Sequence, residues 1–478
     1  MLDLNSKPLK IKSKHIIYLF PLLVWAVVCY GFSFDGLYGQ DAYEYLRYTE
    51  ALKTFLETGK TPGDYFWGVY YPIFGCLLSF VIPNTAIALQ LISVLSLIVT
   101  SVYLDKIIRL TYQQKSVKHI TFIFFTLSPI VLIHSMLAMS DMLACCFTTV
   151  AIYYLLLFIE KSGNRNFIIG AILVAFALLT RYAAMVILLP FCILAFMRLI
   201  KNRSYFCLFF SAVTAALVAI PHIIIRSQNS FQFLSHQWLQ AWDILNLFRS
   251  DFVTVDGEQH YRFINIFYAF FSFFHPIFLA FGIVFLLFFL KSRKIRLHKY
   301  QQLFLTAIIL YALFLGAIPF QNKRFLILSF PLVIAFLFPF LSQLAEVFKN
   351  RKLIFPAIFL IQLSLGLLCG KSFYERNTLE STIADEVEKY EGNTLYSFDI
   401  DIALKGRKLN FNYKSLWKEE YSEFKKNALL LVNEKQVEKQ WKGKNPLLNW
   451  ENVKNNYQLA KLKSFEGDFN LYRIDAKK

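Results

Sequence analysis

The sequence predicts a polytopic α-helical membrane protein that ends in a small soluble α/β domain. Of its 478 residues, 56% are hydrophobic and the mean hydropathy is +0.46, whereas apolar residues make up about 45–50% of ordinary soluble domains. Several apolar runs reach the roughly 20 residues that a helix needs to cross a bilayer. After position 370 the chain becomes polar, with 20 Lys and Arg and 17 Asp and Glu. We therefore predict a membrane domain at 1–370 and a soluble domain at 371–478.

Eleven apolar segments are predicted to span the membrane, with 70–82 as a shorter apolar segment beside them. The eleven are 15–32, 83–105, 119–136, 139–159, 166–180, 183–200, 204–225, 263–290, 301–319, 325–345 and 353–370. No small-residue cleavage site follows the first, so it is not interpreted as a signal peptide. Since Pro72 and Pro83 bracket the short segment, it is predicted to be a re-entrant or interfacial helix.

Basic residues cluster in alternate connections between these segments and thereby predict the topology. The connections are 7–14, 106–118, 161–165, 198–203, 291–299 and 349–352. In an eleven-span chain all of them lie on one side, which the positive-inside rule assigns to the cytoplasm together with the N-terminus. The 33–70 loop, the 226–262 loop and the soluble domain then lie outside the cytoplasm. This distribution explains the net charge of +18 without a nucleic-acid partner.

The soluble domain shows strand patterns but no catalytic motif. LYSFDI and ALLLVNE are predicted to form strands, and KSFEGDFNLYRID a closing hairpin that turns at Gly467. A role in recognition or packing is expected. The seven cysteines of the chain lack the spacing of metal ligands.

The 33–70 loop is acidic, with six Asp and Glu against three Lys and Arg. Between Gln40 and Leu56, apolar residues recur at helical spacing and polar ones occupy the other face, which predicts an amphipathic helix on the outer membrane surface. The predicted apolar face consists of Ala42, Tyr45, Leu46, Leu52, Phe55 and Leu56.

Asp41 stands at the start of this predicted helix and has two interpretations. Its carboxylate could cap the N-terminal NH groups of the helix. Alternatively, a carboxylate fixed where the loop meets the bilayer could take a proton from an acceptor hydroxyl as a catalytic base. Glu44 follows one turn later and could be a second acid, a metal ligand or a solvated side chain.

Three further polar clusters are predicted at outer ends of spans, on the same side as Asp41. TLSPIVLIHSMLAMSDMLACCF contains His134 and Asp141, LLTRYAAMVILLP contains Arg181, and IPFQNKRFLILSFPL contains Gln321, Lys323 and Arg324. Ionisable residues at membrane depth are costly and usually functional, although lone cations can also snorkel to headgroups. A carboxylate, several cations and aromatic walls suit a phosphate-bearing lipid and a sugar, with the cations stabilising the phosphate.

These motifs, in this order, resemble the GT-C glycosyltransferases, and more narrowly the bacterial protein mannosyltransferases and lipid A aminoarabinose transferases. The resemblance covers residues 15–370 and is strongest in GQDAYEYLRYTEAL, YYPIFGCLLS, SDMLACCFTTVAIYYL, LLTRYAAMVILLP and QNKRFLILSFPL. It implies that Asp41 is the catalytic residue, followed by the aromatic Tyr45. It also implies that Arg181, Lys323 and Arg324 bind the donor phosphate.

The sequence departs from the family pattern at three positions, the last two of them relative to the aminoarabinose transferases. Ala42 follows Asp41 where many members have Glu, Glu44 stands in place of an Arg, and Tyr71 precedes Pro72 in place of a Lys. Phosphate binding is therefore expected to differ, and aminoarabinose transfer is disfavoured.

The resemblance implies an inverting hexosyl- or pentosyltransferase of a bacterial inner membrane that functions in cell-envelope glycan or lipopolysaccharide synthesis. Its expected partners are a polyprenyl-phosphate sugar donor, a lipid, glycan or protein acceptor, and membrane lipids. No cofactor is specified, and a divalent metal held by Asp41 with Glu44 or Asp141 stays open. The alternatives are a transporter or lipid flippase, an assembly subunit without chemistry, and another GT-C activity such as polysaccharide ligation.

Overall fold

The computed structural model describes residues 17–63, 65–114, 118–226, 236–291, 297–348 and 353–478. The predicted basic connections at 7–14 and 349–352 lie outside these ranges, as do Lys115, Arg293, Lys294 and Arg296. The predicted location of the N-terminus is thus outside the described residues too.

The part of the chain up to position 387 is largely helical. Its helices are α1 (Phe20–Ala26), α2 (Gly39–Thr58), α3 (Tyr70–Ser79), α4 (Thr85–Tyr112), α5 (Lys118–Thr121), α6 (Pro129–Met136), α7 (Asp141–Lys161), α8 (Asn164–Thr180), α9 (Ala184–Lys201), α10 (Tyr205–Ile225), α11 (Gln237–Gln240), α12 (Asn265–Phe271), α13 (Gly282–Lys291), α14 (Lys299–Gly316), α15 (Phe330–Phe348) and α16 (Ile354–Val387). Each of the eleven predicted spans contains helix. The chain is therefore a multi-pass membrane protein in its architecture.

The number of spans differs from the prediction when judged by length and composition. Within the described ranges six helices are long and apolar enough to cross a membrane, and a bent helix pair raises the number to seven. The six are α4, α7, α9, α10, α14 and α16. Other predicted spans coincide with shorter apolar helices, such as Asn164–Thr180. The count of eleven is therefore not confirmed.

Two predicted spans are broken, and a proline accompanies each break. In 119–136 the helical pieces His119–Thr126 and Pro129–Met136 meet at 70°, because Pro129 lacks an N–H and disfavours helical geometry at the residue before it. In 263–290 the chain leaves the helix at His275, before Pro276, and resumes at α13. There Gly282 lies against the backbone of Phe274, where a Cβ atom would clash.

α4 and α7 form the centre of the membrane part. In their most apolar windows 61% and 72% of the residues are buried inside the protein, against 11% for α10 and 17% for α16. Helices that are apolar on all sides must face either protein or lipid. α10 and α16 are thus the helices that present most side chains outward.

The predicted helix of the 33–70 loop is present as α2, but it does not lie free on a surface. Gly59 ends it in a left-handed conformation (φ 77°), as is common at helix C-termini. Of its predicted apolar face, Phe55 and Leu56 are exposed and the other four residues are buried. Tyr43, on the opposite side, is also buried because it packs against Gly406 of the C-terminal region. α3 occupies the segment predicted as an interfacial helix.

The 226–262 loop contributes a two-stranded hairpin to the same side of the molecule. Its strands are β1 (Asp251–Thr254) and β2 (Gly257–His260), which pair antiparallel with Asp251 opposite His260. The turn between them is Val255-Asp256.

The C-terminal region forms an α/β domain around a five-stranded sheet. Its strands are β3 (Thr394–Ser397), β4 (Asn412–Ser415), β5 (Leu429–Asn433), β6 (Tyr457–Ser464) and β7 (Phe469–Lys477), and its helices are α17 (Asp401–Gly406), α18 (Glu434–Gln440) and α19 (Asn445–Asn456). The order is β4-β3-β5-β7-β6. β4, β3 and β5 run parallel, and β7 and β6 complete the sheet as an antiparallel pair. The predicted strands and the turn at Gly467 are confirmed. α16 runs continuously through the predicted domain boundary at 370.

Candidate active site

Asp41 lies in the first turn of α2, where its side chain makes a tertiary contact. The helix begins at Gly39, and no side chain caps its N-terminus. Oδ2 of Asp41 instead accepts a hydrogen bond from Nη2 of Arg324 in a close ion pair. The two side chains are 24% and 19% exposed. Asp41 is therefore held by a cation at the edge of the protein interior, and capping does not account for it.

Arg324 is positioned by a 3₁₀ turn (Lys323–Leu328) between α14 and α15. The side chain of Asn322 accepts from the backbone N–H of Arg324 at 3.1 Å and so fixes the start of the turn. Burial lowers the pKa of Arg324, but the charge of Asp41 and its hydrogen bond outweigh this and raise it overall. The guanidinium stays charged in this environment.

Arg324 also has hydrogen-bonding capacity that the protein leaves unused. Nη1 contacts Sδ of Met139 at 3.5 Å, which is a weak acceptor. Nε is buried and has no hydrogen-bond partner among the described residues. An unsatisfied buried donor costs about 1–3 kcal/mol. A ligand oxygen reaching this guanidinium would recover that cost.

A second ion pair lies beside the first. Arg181, at the C-terminal end of α8, pairs through Nη1 with Oδ1 of Asp141 at the start of α7. The guanidinium carbons of Arg181 and Arg324 lie 4.9 and 5.3 Å from the centre of the Phe325 ring, an arrangement typical of cation–π contacts. Burial and the nearby Arg324 lower the pKa of Arg181. The fold thus brings two guanidiniums together at the ring of Phe325.

A cavity of about 1050 Å³ opens next to Asp41 and Arg324. Aromatic side chains and amides from several parts of the chain line it. They are Tyr38, Gly39, Gln40, Asp41, Phe66, Trp67, Met139, His236, Gln237, Trp238, Val255, Asp256, Gln259, Phe320, Asn322, Arg324, Phe325, Trp417, Lys418, Gln440, Gly443, Lys444, Asn445 and Pro446. It is thus bounded by α2, by the 226–262 loop, by the turn before α15 and by the C-terminal domain.

Three other predicted site residues lie on α2 and α3, outside the lining of this cavity. Glu44 forms an exposed pair with Arg47, with N–O distances of 2.6 and 2.8 Å. Tyr45 is buried and shares a 2.7 Å hydrogen bond with Ser140, and burial near Asp41 raises its pKa to about 12. Tyr71 is fully buried and bonds Ser93 at 2.9 Å. Tyr45 and Tyr71 therefore pack behind the site.

The remaining predicted residues are dispersed around the two ion pairs. His134 is buried beside Phe373. Gln321 donates to the carbonyl of Phe263 at 2.7 Å and thus fixes the neighbouring loop. Lys323 is half-buried, its pKa is lowered by burial, and it interacts electrostatically with Cys369. Consecutive residues of the 3₁₀ turn point apart, so Lys323 does not line the cavity with Arg324.

The cavity contains residues that the sequence patterns did not single out. Trp238 and Asp256 come from the 226–262 loop, and Trp417 and Lys444 come from the C-terminal domain. The stretch HQWLQAW is rich in aromatic residues for an exposed loop and could have indicated the first of these. No local signal marks the C-terminal residues, because only the packing of the domain brings them here. In the described part of the chain, no three His, Cys, Asp or Glu side chains group as metal ligands do.

Comparison with known proteins extends these observations. Residues 73–225 match the family described as dolichyl-phosphate-mannose-protein mannosyltransferase. Among curated proteins, none matches the chain in sequence.

Two solved structures share the fold over nearly the whole length. The crystal structure of ArnT from Cupriavidus metallidurans bound to undecaprenyl phosphate is 11% identical, covers 96% of this chain and 97% of its own, and superimposes with a TM-score of 0.61. The apo state of ArnT gives 10% identity, the same coverage and a TM-score of 0.59. The predicted resemblance is thereby confirmed: this chain has the GT-C glycosyltransferase fold, with a segment that matches the protein mannosyltransferases.

Proposed function

We propose that the chain is an inverting glycosyltransferase that moves a sugar from a polyprenyl-phosphate donor to an acceptor hydroxyl. The ion pair between Asp41 and Arg324 at the wall of the cavity is the observation that carries this proposal. In it a carboxylate and a guanidinium are in direct contact. Transfer needs that proximity, because the anomeric carbon lies between the attacking hydroxyl and the leaving phosphate oxygen.

Asp41 acts as the general base in this proposal. Its carboxylate takes the proton of the acceptor hydroxyl, whose oxygen forms a bond to the anomeric carbon from the face opposite the phosphate. The bond from that carbon to the phosphate oxygen breaks, and the oxygen keeps the electron pair. Attack opposite the leaving group inverts the anomeric configuration.

Arg324 and Arg181 hold the departing phosphate. Guanidiniums bind phosphate oxygens in bidentate fashion, and the unpartnered Nε of Arg324 is a donor for that purpose. Developing negative charge is stabilised most when the donors are fixed and water is scarce. Lys323 contributes positive charge from outside the cavity. The further candidate residues of the substrate site are Glu44, Tyr45, Tyr71, His134, Asp141 and Gln321.

The donor class is supported by likeness to other proteins together with the two cations. The matched family is named for dolichyl-phosphate-mannose, and the ArnT crystal holds undecaprenyl phosphate. We propose a polyprenyl monophosphate carrying a hexose or pentose. We further propose that residues 1–370 form the transferase domain and 371–478 an extracytoplasmic domain, with the N-terminus in the cytoplasm of a bacterial inner-membrane protein.

The test is donor turnover by purified wild type and Asp41→Asn in nanodiscs. A polyprenyl-phosphate sugar and a membrane-glycan extract are supplied, and release of the sugar from the lipid is followed by mass spectrometry. We expect wild type to consume the donor and Asp41→Asn to lose at least about 100-fold in rate, as is common for a removed general base.

Glu57→Gln serves as the matched control, because Glu57 lies exposed on the same helix and undergoes the same change from carboxylate to amide. It is expected to keep wild-type turnover. Equal consumption by wild type and Asp41→Asn, with both eluting as the same folded species, would refute the catalytic role of Asp41.

A further inference from the structure

The cavity beside Asp41 extends well beyond the residues that proton transfer and phosphate binding require. At about 1050 Å³ it is as large as the sites that enclose whole small molecules. Its part away from the ion pair is lined by aromatic rings and amides from the β1–β2 hairpin region and the C-terminal domain. Those residues have no role in the reaction described so far.

Trp238 is a fixed aromatic surface in this part of the cavity. Its ring stacks on Phe320 with centroids 4.4 Å apart and planes 17° apart. Its backbone N–H donates to Nδ1 of His236 at 3.2 Å. The first contact holds the indole ring and the second holds the backbone of Trp238. Both are made within the protein, so the ring is in place before any ligand binds.

Asp256 lies at the turn of the hairpin and faces the same cavity. It is half-buried, and among the described residues no Lys or Arg acts on its pKa. Burial raises the pKa of Asp256, while the side chain of Trp238 and His236 act to lower it. Its carboxylate thus accepts a hydrogen bond from the side chain of Trp238, and its remaining lone pairs can accept hydrogen bonds from a ligand.

The C-terminal domain holds the hairpin in position and completes the wall. Nε2 of Gln440, in α18, donates to the carbonyl of Asp256 at 2.7 Å. Gly257 has φ 87°, and a Cβ atom there would lie 2.5 Å from the carbonyl oxygen of Gln440. Such close docking requires glycine. Trp417 and Asn445 of the domain face the cavity as well and are joined by a 3.1 Å hydrogen bond.

We propose that this part of the cavity binds a carbohydrate ring of the acceptor, with Trp238 against the ring face and Asp256 on its hydroxyls. The proposal rests on the function proposed above and assigns its acceptor to the glycans and glycolipids. A sugar ring presents partly positive C–H groups to the negative face of an aromatic ring. Its hydroxyls donate to carboxylates and exchange hydrogen bonds with amides. Both kinds of partner are present here.

The first experiment measures sugar binding without a donor and so does not depend on catalysis. Full-length protein in nanodiscs free of glycoside detergent is mixed with a panel of glucose, glucosamine and N-acetylglucosamine disaccharides, or with Ser- and Thr-containing peptides. Saturation-transfer NMR then reports which ligand contacts the protein. We expect transfer to at least one disaccharide in wild type, and its loss in Trp238→Ala and Asp256→Asn.

Phe248→Ala is the matched control, because Phe248 is an exposed aromatic residue of the same loop region that does not line this cavity. It is expected to bind the disaccharide as wild type does. Trp238→Phe keeps an aromatic face and is expected to restore binding. Thermal unfolding of each variant shows that the fold is intact.

The second experiment measures transfer. The KM for a glycan acceptor is expected to rise about tenfold in Trp238→Ala, with a smaller change in kcat, since the residue contacts the acceptor away from the reacting atoms. Three results would each overturn the proposal. They are saturation transfer to none of the disaccharides, disaccharide binding that is unchanged in Trp238→Ala and Asp256→Asn, and contact with the peptides alone. Donor turnover is assayed separately, so failure of the glycosyltransferase function is recognised as a different result.

Discussion

Tyr43 donates a 2.8 Å hydrogen bond through its hydroxyl to Oε2 of Glu380. The contact ties α2, which carries Asp41, to the outer part of α16. Glu380 is almost fully buried and is also bound by Nε of Arg376 at 2.6 Å, and Arg376 reaches Asp399 of the C-terminal domain at 3.1 Å. The helix α2 is thus positioned by a polar network that the C-terminal region supplies.

Tyr43→Phe is expected to slow turnover severalfold and to lower the thermal unfolding temperature. The substitution removes one hydrogen bond to a charged group, worth about 1.5–3 kcal/mol, and lets α2 move relative to Arg324. Thermal unfolding in detergent and the donor assay measure the two effects.

Tyr30→Phe is the control for the loss of a hydroxyl, because Tyr30 is 69% exposed. It should change neither quantity. Should Tyr43→Phe retain full turnover despite a lower unfolding temperature, the network would be structural without positioning Asp41.

Arg324→Lys is expected to reduce kcat by about 100-fold although it keeps the positive charge. A lysine ammonium lacks the planar fork and cannot contact Asp41 and a phosphate group with separate nitrogens in fixed geometry. Steady-state kinetics with the polyprenyl-phosphate sugar measure the effect. Arg165→Lys, an exposed position at the start of α8, should leave kcat unchanged. Wild-type kcat in Arg324→Lys would show that charge alone suffices.

The pair of Asp141 and Arg181 is expected to show strong coupling in a double-mutant cycle. Removing one partner of a buried ion pair costs about 3–5 kcal/mol because the other charge stays buried. Asp141→Asn and Arg181→Gln should each lower the unfolding temperature, and the double variant should recover part of the loss. Turnover should not recover, because Arg181 is absent. Additive losses of stability would mean that the two side chains do not interact in solution.

The β1–β2 hairpin is expected to respond to pH through His260. Nδ1 of His260 lies 2.7 Å from Oδ1 of Asp251, and its Nε2 lies 3.8 Å from Oε2 of Glu258. The hydrogen bond to Asp251 raises the pKa of His260. Because this pKa is raised in the folded state, the contact of protonated His260 with Asp251 contributes fully to the stability of the hairpin below the ordinary histidine pKa of about 6.5. It is lost as the pH rises through the raised value.

NMR titration of histidine-labelled protein measures this shift. In Asp251→Asn the titration midpoint of His260 should fall toward the ordinary value, since the hydrogen-bonded charge is gone. An unchanged midpoint in the variant would assign the shift to another cause.

The amino-acid sequence was enough to predict the membrane class, the helical content of the predicted spans, the strands of the C-terminal domain and the residues of the two ion pairs. Hydrophobic runs and strand alternation are local properties, and a charged residue at the end of an apolar run is conspicuous because burying it is costly. Asp41, Arg181 and Arg324 could be found in this way even though 283 positions separate the partners of one pair.

Which of these residues meet, and what surrounds them, became known only from the folded structure. Lys323 and Arg324 are neighbours in sequence, yet the 3₁₀ turn directs one toward Cys369 and the other toward Asp41. Tyr43 is not part of the predicted apolar face of α2, yet it is buried because the C-terminal domain covers it. Trp238, Asp256 and Trp417 reach one cavity because a hairpin docks on α18. Side-chain direction and domain packing depend on contacts between distant segments, which no local pattern of residues encodes.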